Sequence, residues 1–314
     1  MSRRSMSRSP RSTSTRFHRE VDGILLFDKA LGLSSNAALQ QVRLLYGAVK
    51  AGHAGSLDPL ATGLLPVCFG QATKVCGRLL NSGKTYRVRV ALGARTESGD
   101  CETEVCERAP VPALVQAQVD AVLMTFLGEQ QQIPPMHSAL KFEGKRLYEL
   151  ARRGESVERA ARTIVIHSLR CVELAPAELE FDVYCSKGTY IRTLAADIAG
   201  RLGTLGHVTA LRRLSVDPFG DRPMYTLEAL AALTAEERDG LLLPADTAFM
   251  DLPSIRLDRP GEAALLLGQS VEAPTGPDSG ELRAYGPSGR FLGIVEGQPR
   301  GRIKPSRLFV SIGA

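Results

Sequence analysis

The twelve residues Gly52-His-Ala-Gly-Ser-Leu-Asp-Pro-Leu-Ala-Thr-Gly63 concentrate the groups most able to do chemistry. Asp58 precedes a proline, which biases its backbone towards an extended conformation. Glycines on both sides let another backbone or a ligand approach closely. His53 stands in the same stretch, so two polar side chains can project from one turn. A carboxylate so placed can act as a base or a nucleophile. It can equally bond its own backbone and merely close a turn, the reading that spacing alone favours.

The surrounding chain must hold that turn in place. Residues 21–27 read as a short strand, and Ser34 or Ser35 can cap a helix with Leu39, Val42 and Leu45-Tyr46 on one face, ended by Gly47. Residues 51–66 carry Gly52, Gly55, Pro59, Gly63 and Pro66 and read as loop. From Tyr86 polar and apolar residues alternate, the mark of a half-buried strand. A polar loop follows at 94–104. Val115, Val119, Val122, Leu123 and Phe126 then form a helical stripe over 113–127. Residues 133–146 are irregular and basic, with a helical segment at 146–153. Strands are expected at 163–174 and 179–186. A further helix starts near Thr189, with Ile191, Leu194, Ile198 and Leu202 on one face and Gly203 past its end.

Strands and helices are mixed rather than alternating, which points to an α+β fold with a mixed, largely antiparallel sheet core flanked by helices. Beyond residue 250, short runs at 281–285, 291–296 and 307–312 separated by Gly and Pro turns indicate a small β-rich C-terminal domain. The expected division is a basic tail at 1–19, a main domain at 20–250 and the β-rich domain at 251–314.

Hydrophobic residues make up 44% of the 314 and charged residues 23%, as in ordinary soluble domains. No apolar run approaches the roughly 18 residues of a membrane span, and no apolar segment follows the basic start as in a secretory signal. A soluble, cytoplasmic protein is expected. The net charge of +5 includes six arginines within residues 1–19, which leaves −1 for residues 20–314. Any nucleic-acid binding by the body would therefore have to come from local basic patches. The Arg/Ser-rich tail is expected to be disordered, either a solvated extension or a source of non-specific RNA affinity. The six cysteines include no C-x-x-C pair and no His at ligand spacing, so no metal is expected.

Further along, several segments resemble one family in order. The Gly52–Gly63 stretch resembles the signature loop of the TruB family of tRNA pseudouridine synthases, G-H-x-G-x-L-D-P-x-A-T-G. Leu26-Phe-Asp-Lys29 with Gly32-Leu-Ser-Ser-Asn36 resembles its N-terminal motif, Lys84-Thr-Tyr-Arg-Val88 its tyrosine-bearing strand, and Arg95-Thr-Glu-Ser-Gly-Asp100 the following loop. Ile133-Pro-Pro-Met-His-Ser-Ala-Leu-Lys141, Cys185-Ser-Lys-Gly-Thr-Tyr-Ile-Arg-Thr193 and Leu211-Arg-Arg-Leu214 complete the set, over about residues 21–220. One departure is Ala30, where the family's first motif has proline; its loss should loosen the turn after the first strand.

The resemblance implies isomerisation of uridine to pseudouridine at position 55 in the T-loop of tRNA, with no cofactor and Asp58 as the catalytic carboxylate. It implies that Arg192 pairs with Asp58 and fixes its direction; otherwise Arg192 is a solvated residue on a first helical turn, where it opposes the helix dipole. Tyr86 and Tyr190 match base-contacting tyrosines, or else are core aromatics. His53 matches a histidine that fills the gap left by flipped bases, and Leu211 an apolar residue of the uracil pocket. Arg212, Arg213, Lys141, Lys145, Arg146, Arg152 and Arg153 are candidates for phosphate contacts with the T-arm. The C-terminal domain resembles a PUA-like RNA-binding module. No protein partner is implied and a monomer is expected. Two other readings are a tRNA-binding or tRNA-folding protein on the same scaffold without chemistry, and a methyltransferase. No Gly-rich cofactor loop supports the latter.

Overall fold

The computed structural model describes residues 19–309 except 139, 143, 152 and 274–278, so most of the expected tail and the end of the last expected strand lie outside the described residues. The first strands are β1 (Gly23–Lys29), β2 (Ala51–His53), β3 (Ala61–Phe69) and β4 (Lys84–Leu92). A hairpin of β5 (Ala94–Thr96) and β6 (Val105–Arg108) follows, then β7 (Gly128–Gln132) and a second hairpin of β8 (Lys141–Phe142) and β9 (Lys145–Arg146). Three long strands, β10 (Arg162–Ala175), β11 (Glu178–Cys185) and β12 (Gly206–Val216), complete the main sheet. Its order is β1-β3-β12-β4-β11-β10-β7, with β2 on β3. Every pairing is antiparallel except β12 with β3. The α+β class, with a mixed and largely antiparallel sheet, is as the sequence indicated.

Helices α1 (Ser35–Tyr46), α2 (Cys76–Leu80), α3 (Gln116–Met124), α4 (Leu147–Ala151) and α5 (Ile191–Arg201) accompany this sheet. Ser34 caps α1 by accepting from Ala37 N–H, and Gly47 ends it in the left-handed conformation. Apolar residues of α1, α3 and α5 pack with Tyr86, Val88, Phe181 and Val183 of the sheet into one core. Phe27 and Phe181 are wholly buried there, each stabilising the fold by about 1.5–3 kcal/mol.

Several expectations need correction. Residues 51–66, expected as loop, contain β2 and the first part of β3. Pro66 fits because it lies opposite Leu26, whose backbone turns outward to Tyr225, while the Pro66 carbonyl accepts from Ala54. The missing N–H therefore breaks no bond with β1. Val115 is not on the buried stripe but is the residue preceding α3, 57% exposed. The polar stretch at 94–104 begins with one hairpin strand, β5, and the irregular stretch at 133–146 contains both strands of another. Arg19, placed with the tail, is tied to the body: its guanidinium donates to Tyr46 O and Asp239, and its backbone bonds Gly47 and Val49.

Beyond the main sheet run α6 (Leu227–Ala231), α7 (Ala235–Asp239) and α8 (Arg259–Leu266). The C-terminal β-rich domain is a five-stranded sheet in the order β13-β15-β16-β17-β14, from β13 (Ser254–Arg256), β14 (Val271–Glu272), β15 (Glu281–Tyr285), β16 (Phe291–Gln298) and β17 (Arg302–Leu308). The last strand begins five residues before the expected 307. Ile294 and Phe309 from this end join Ile24, Leu26, Leu64 and Phe249 in a second apolar cluster, so the two sheets share a core. Arg78 stacks over Phe249 at 4.9 Å and pairs with Asp251, and Arg307 donates to Lys74 O.

Candidate active site

The turn carrying Asp58 joins β2 to β3 and is anchored through its backbone from three directions. Ser35 Oγ accepts from Leu57 N–H (2.7 Å) and donates to Leu57 O (3.0 Å). Lys29, wholly buried, donates from Nζ to Leu33 O (2.6 Å), Ala30 O (2.9 Å) and Pro59 O (3.4 Å). Burial lowers its pKa to about 8 against the pull of Asp58. Gly32 N–H also reaches Pro59 O, so the turn that lacks the family's proline is bonded rather than loose. Arg213 donates from Nη2 to Gly55 O (3.1 Å) and from Nε to Leu64 O (2.6 Å). Gly55 takes φ +88°, which an L side chain rarely adopts.

With its backbone fixed, Asp58 projects a side chain that is 44% exposed, and Arg192 Nη2 lies 3.1 Å from Asp58 Oδ2. Arg192 is buried rather than solvated. It sits on the first turn of α5, where the helix dipole disfavours a cation, and four partners compensate. Besides Asp58 these are Asp100 Oδ2 (3.3 Å), Ser98 O (2.7 Å) and His137 O (2.7 Å). Asp100 is 1% exposed, and its Oδ1 also accepts from Ser98 Oγ and from Glu102 N–H. The partnership with Asp100 was not legible in sequence, where Asp100 closes the Arg95–Asp100 motif with no role attached to it.

Asp58 stands where two cavities meet. The smaller, about 220 Å³, is lined by Tyr86, Tyr190, Leu211 and Arg192 with Asp58 at its mouth. The larger, about 920 Å³, is lined by His53, Glu102, His137 and Tyr148, and shares Asp58, Arg192 and Ser138. The structure thus gathers Asp58, Tyr86, Tyr190, Arg192 and Leu211 round one pocket and sets His53 in the adjoining space. Among the described residues the buried His53 Nδ1 has no hydrogen-bond partner, and burial, then the Arg213 charge, lowers its pKa. Tyr86 is buried, which raises its phenol pKa, while Arg213 acts the other way. Gln132 of β7 brackets Tyr190, accepting from its N–H (2.7 Å) and donating to its carbonyl (3.1 Å). Glu102 is raised by burial and by the charges of Asp100 and Asp58.

Among the phosphate candidates, Lys145 and Arg153 are exposed, and Arg212 is part-exposed but engaged with Asp28 at 2.7 Å. Arg152 lies outside the described residues, and of Lys141 and Arg146 only the backbone is described. Arg213 is 0% exposed and cannot touch a phosphate. Strand alternation places it on the inward face with Leu211, a signal present in the sequence. Among the described residues no group of three His, Cys, Asp or Glu is arranged to hold a metal ion, and no helix is long and apolar enough to cross a membrane.

Known proteins match along nearly the whole chain. Residues 43–191 match the TruB family pseudouridylate synthase N terminal domain, 192–250 the tRNA pseudouridylate synthase B C-terminal domain, and 253–309 the C-terminal domain of pseudouridine synthase II TruB. The tRNA pseudouridine synthase B of Chromohalobacter salexigens is 49% identical over 290 residues, covering 92% of this chain and 94% of its own. That of Methylobacillus flagellatus is 47% identical over 298 residues, covering 95% and 98%. Among solved structures, a chain of a Cbf5-Nop10-Gar1 complex superposes with a TM-score of 0.70 at 22% identity, covering 94% of this chain and 86% of its own, a likeness of fold. The chain belongs to the TruB family of pseudouridylate synthases.

Proposed function

We propose that this enzyme converts uridine to pseudouridine at position 55 in the T-loop of tRNA, with Asp58 as its essential carboxylate. Relatives named tRNA pseudouridine synthase B, at 47–49% identity over nearly the full chain, support tRNA as the substrate. The observation that carries the reading is the Asp58 carboxylate, 3.1 Å from Arg192 at the mouth of a pocket walled by Tyr86, Tyr190 and Leu211.

The reaction breaks the N1–C1′ bond, turns the uracil and joins C5 to C1′; the C5 proton leaves to solvent and N1 takes one up, so the product is an isomer of the substrate. A carboxylate can attack C1′, add to C6 or remove the C2′ proton, and Asp58 stands ready for any of these. Arg192 fixes its direction. A stacked T-loop base must leave the loop to reach the pocket, and Tyr86 and Tyr190 offer faces for it. His53, in the adjoining cavity, occupies the space it vacates. Lys145, Arg153 and Arg212 border the path of the T-arm backbone. Residues 20–250 serve as the catalytic domain and 251–314 as a PUA-like module gripping more of the tRNA, and the protein acts as a cytoplasmic monomer.

Tritium release from C5-labelled tRNA transcript tests this directly. Asp58→Asn should abolish release while tRNA binding stays within about threefold, since only the reacting group is altered. Wild-type release by that variant would remove Asp58 from the chemistry and leave a tRNA-binding role. Carbodiimide mapping by reverse transcription should place the new pseudouridine at position 55, and a stop elsewhere would reject the T-loop assignment.

A further inference from the structure

Arg213 carries a buried charge that the proposed chemistry does not use. It reaches main-chain carbonyls, at Gly55 and Leu64, although taking a guanidinium out of water is costly without close compensation. Its place in the sheet is unusual. In the β12–β4 ladder Arg213 lies opposite Tyr86, and in the β12–β3 ladder opposite Gly63. Paired residues point to the same face, so the guanidinium leaves the sheet beside the Tyr86 ring. At Gly63 the two backbones approach so closely that a Cβ would stand 2.2 Å from Arg213 O, with φ at +94°. On the far side, Arg213 Nη1 lies 3.4 Å from where a Cβ on Gly55 would stand. The side chain is therefore wedged between the inner wall of the Asp58 turn and the strand bearing Tyr86. Tyr86 responds to it: burial raises the phenol, and Arg213 opposes that shift by charge and by hydrogen bonding.

We propose that Arg213 is a positioning residue for the isomerisation, a buried strut that fixes the spacing between the Asp58 turn and the Tyr86 wall. This rests on the reading that Asp58 acts on a base held against Tyr86. The guanidinium suits the task because its planar fork reaches two carbonyls at fixed angles, whereas an ammonium is a single point. The strut is distinct from the Arg192 contact, which acts on the carboxylate itself. Arg213 acts on the backbone beneath it.

The test is single-turnover pseudouridine formation on unmodified tRNA with enzyme in excess, alongside tRNA affinity by filter binding. The variants are Asp58→Asn, Arg213→Lys, Arg213→Met, Tyr86→Phe and the double variant Arg213→Lys with Tyr86→Phe. A misplacement of the order of an ångström predicts a loss of about 100-fold in the saturated rate for Arg213→Met and about tenfold for Arg213→Lys. Affinity should stay within about threefold, because no contact with RNA is removed. The double variant should lose no more than the worse of its two parents, since both changes act on the one contact between the guanidinium and the Tyr86 phenol. A folded Arg213 variant with the wild-type rate overturns the proposal, as does a loss expressed only in tRNA affinity, or losses that multiply in the double variant. Arg213→Lys keeps the charge and most of the volume, and it decides alone if Arg213→Met does not fold. Activity retained by Asp58→Asn would instead sink the underlying reading. An inactive Asp58→Asn with fully active Arg213 variants would sink only the strut.

Discussion

Arg192 is shared between two carboxylates, one nitrogen 3.1 Å from Asp58 and the other 3.3 Å from Asp100. The two ends differ in accessibility: the Asp58 side chain is 44% exposed and that of Asp100 is 1% exposed. Asp100 is also tethered by Ser98 Oγ and Glu102 N–H. The buried end thus anchors the guanidinium, and the open end presents the carboxylate to whatever enters the pocket.

Asp100→Asn should therefore slow the saturated rate although Asp100 does not line either cavity. Loosening the anchor by a fraction of an ångström or more should cost about 10- to 100-fold with tRNA affinity unchanged. Single-turnover kinetics with enzyme in excess measure this, and a wild-type rate would separate Asp100 from the function of Arg192.

Two adjacent serines should behave differently. Ser35 is buried and exchanges two hydrogen bonds with Leu57, the residue before Asp58. Ser35→Ala should cost about 1–3 kcal/mol in urea unfolding, because it strands buried backbone groups, and should also slow turnover. Ser34 caps α1 and lines the larger cavity, and its hydroxyl bonds Ala37 N–H rather than the Asp58 turn, so Ser34→Ala should cost about 1 kcal/mol and leave the saturated rate alone. Equal rates for the two variants would refute the anchoring of the turn by Ser35.

Gln132 offers a test of the Tyr190 wall. Both ends of its amide bond the Tyr190 backbone. Gln132→Leu should destabilise the fold by about 1–3 kcal/mol by leaving both groups unsatisfied. Gln132→Glu keeps an acceptor for the Tyr190 N–H but sets a carboxylate oxygen against the Tyr190 carbonyl, so it should not restore stability. Urea unfolding of the pair reads the difference, and a fully stable Gln132→Glu would contradict the bracket.

Lys84 should give stability an alkaline rise. It is buried, its Nζ donates to Leu79, Leu80 and Ser82 carbonyls, and burial, then the Arg213 charge, lowers its pKa from 10.5 to about 8. Between those values the unfolded chain binds more protons than the folded one, so stability from this group rises with pH. Below about 8 both states are protonated and the contribution is flat. The unfolding free energy of wild type minus that of Lys84→Met should therefore grow from pH 8 to pH 10. A constant difference would show that Lys84 keeps an ordinary affinity for its proton.

The sequence made the Asp58 turn, α1, β4, α5 and the long β10–β11 pair legible, since each follows a local rule of capping or alternation. It hid β3, because Gly63 and Pro66 are loop residues by type and fit a strand only through their neighbours: the Arg213 backbone at one and the outward-turned Leu26 at the other. The same limit applies to charge. Arg212 and Arg213 are adjacent and identical in type, yet one pairs with Asp28 at a part-exposed edge and the other is sealed inside. Only the inward or outward parity of the strand distinguishes them. Asp100 shows a third limit, because a partner separated by 92 residues from Arg192 has no local signature.

The rings of Phe249, Phe291 and Phe309 stand 5.2 to 6.4 Å apart where the C-terminal sheet meets the main body. Prising the smaller sheet away would bring these rings into water, at about 1.5–3 kcal/mol for each one fully exposed. A long ligand touching both sheets would have to offset that cost to pull them apart, so bending the ligand is the cheaper way to make it fit.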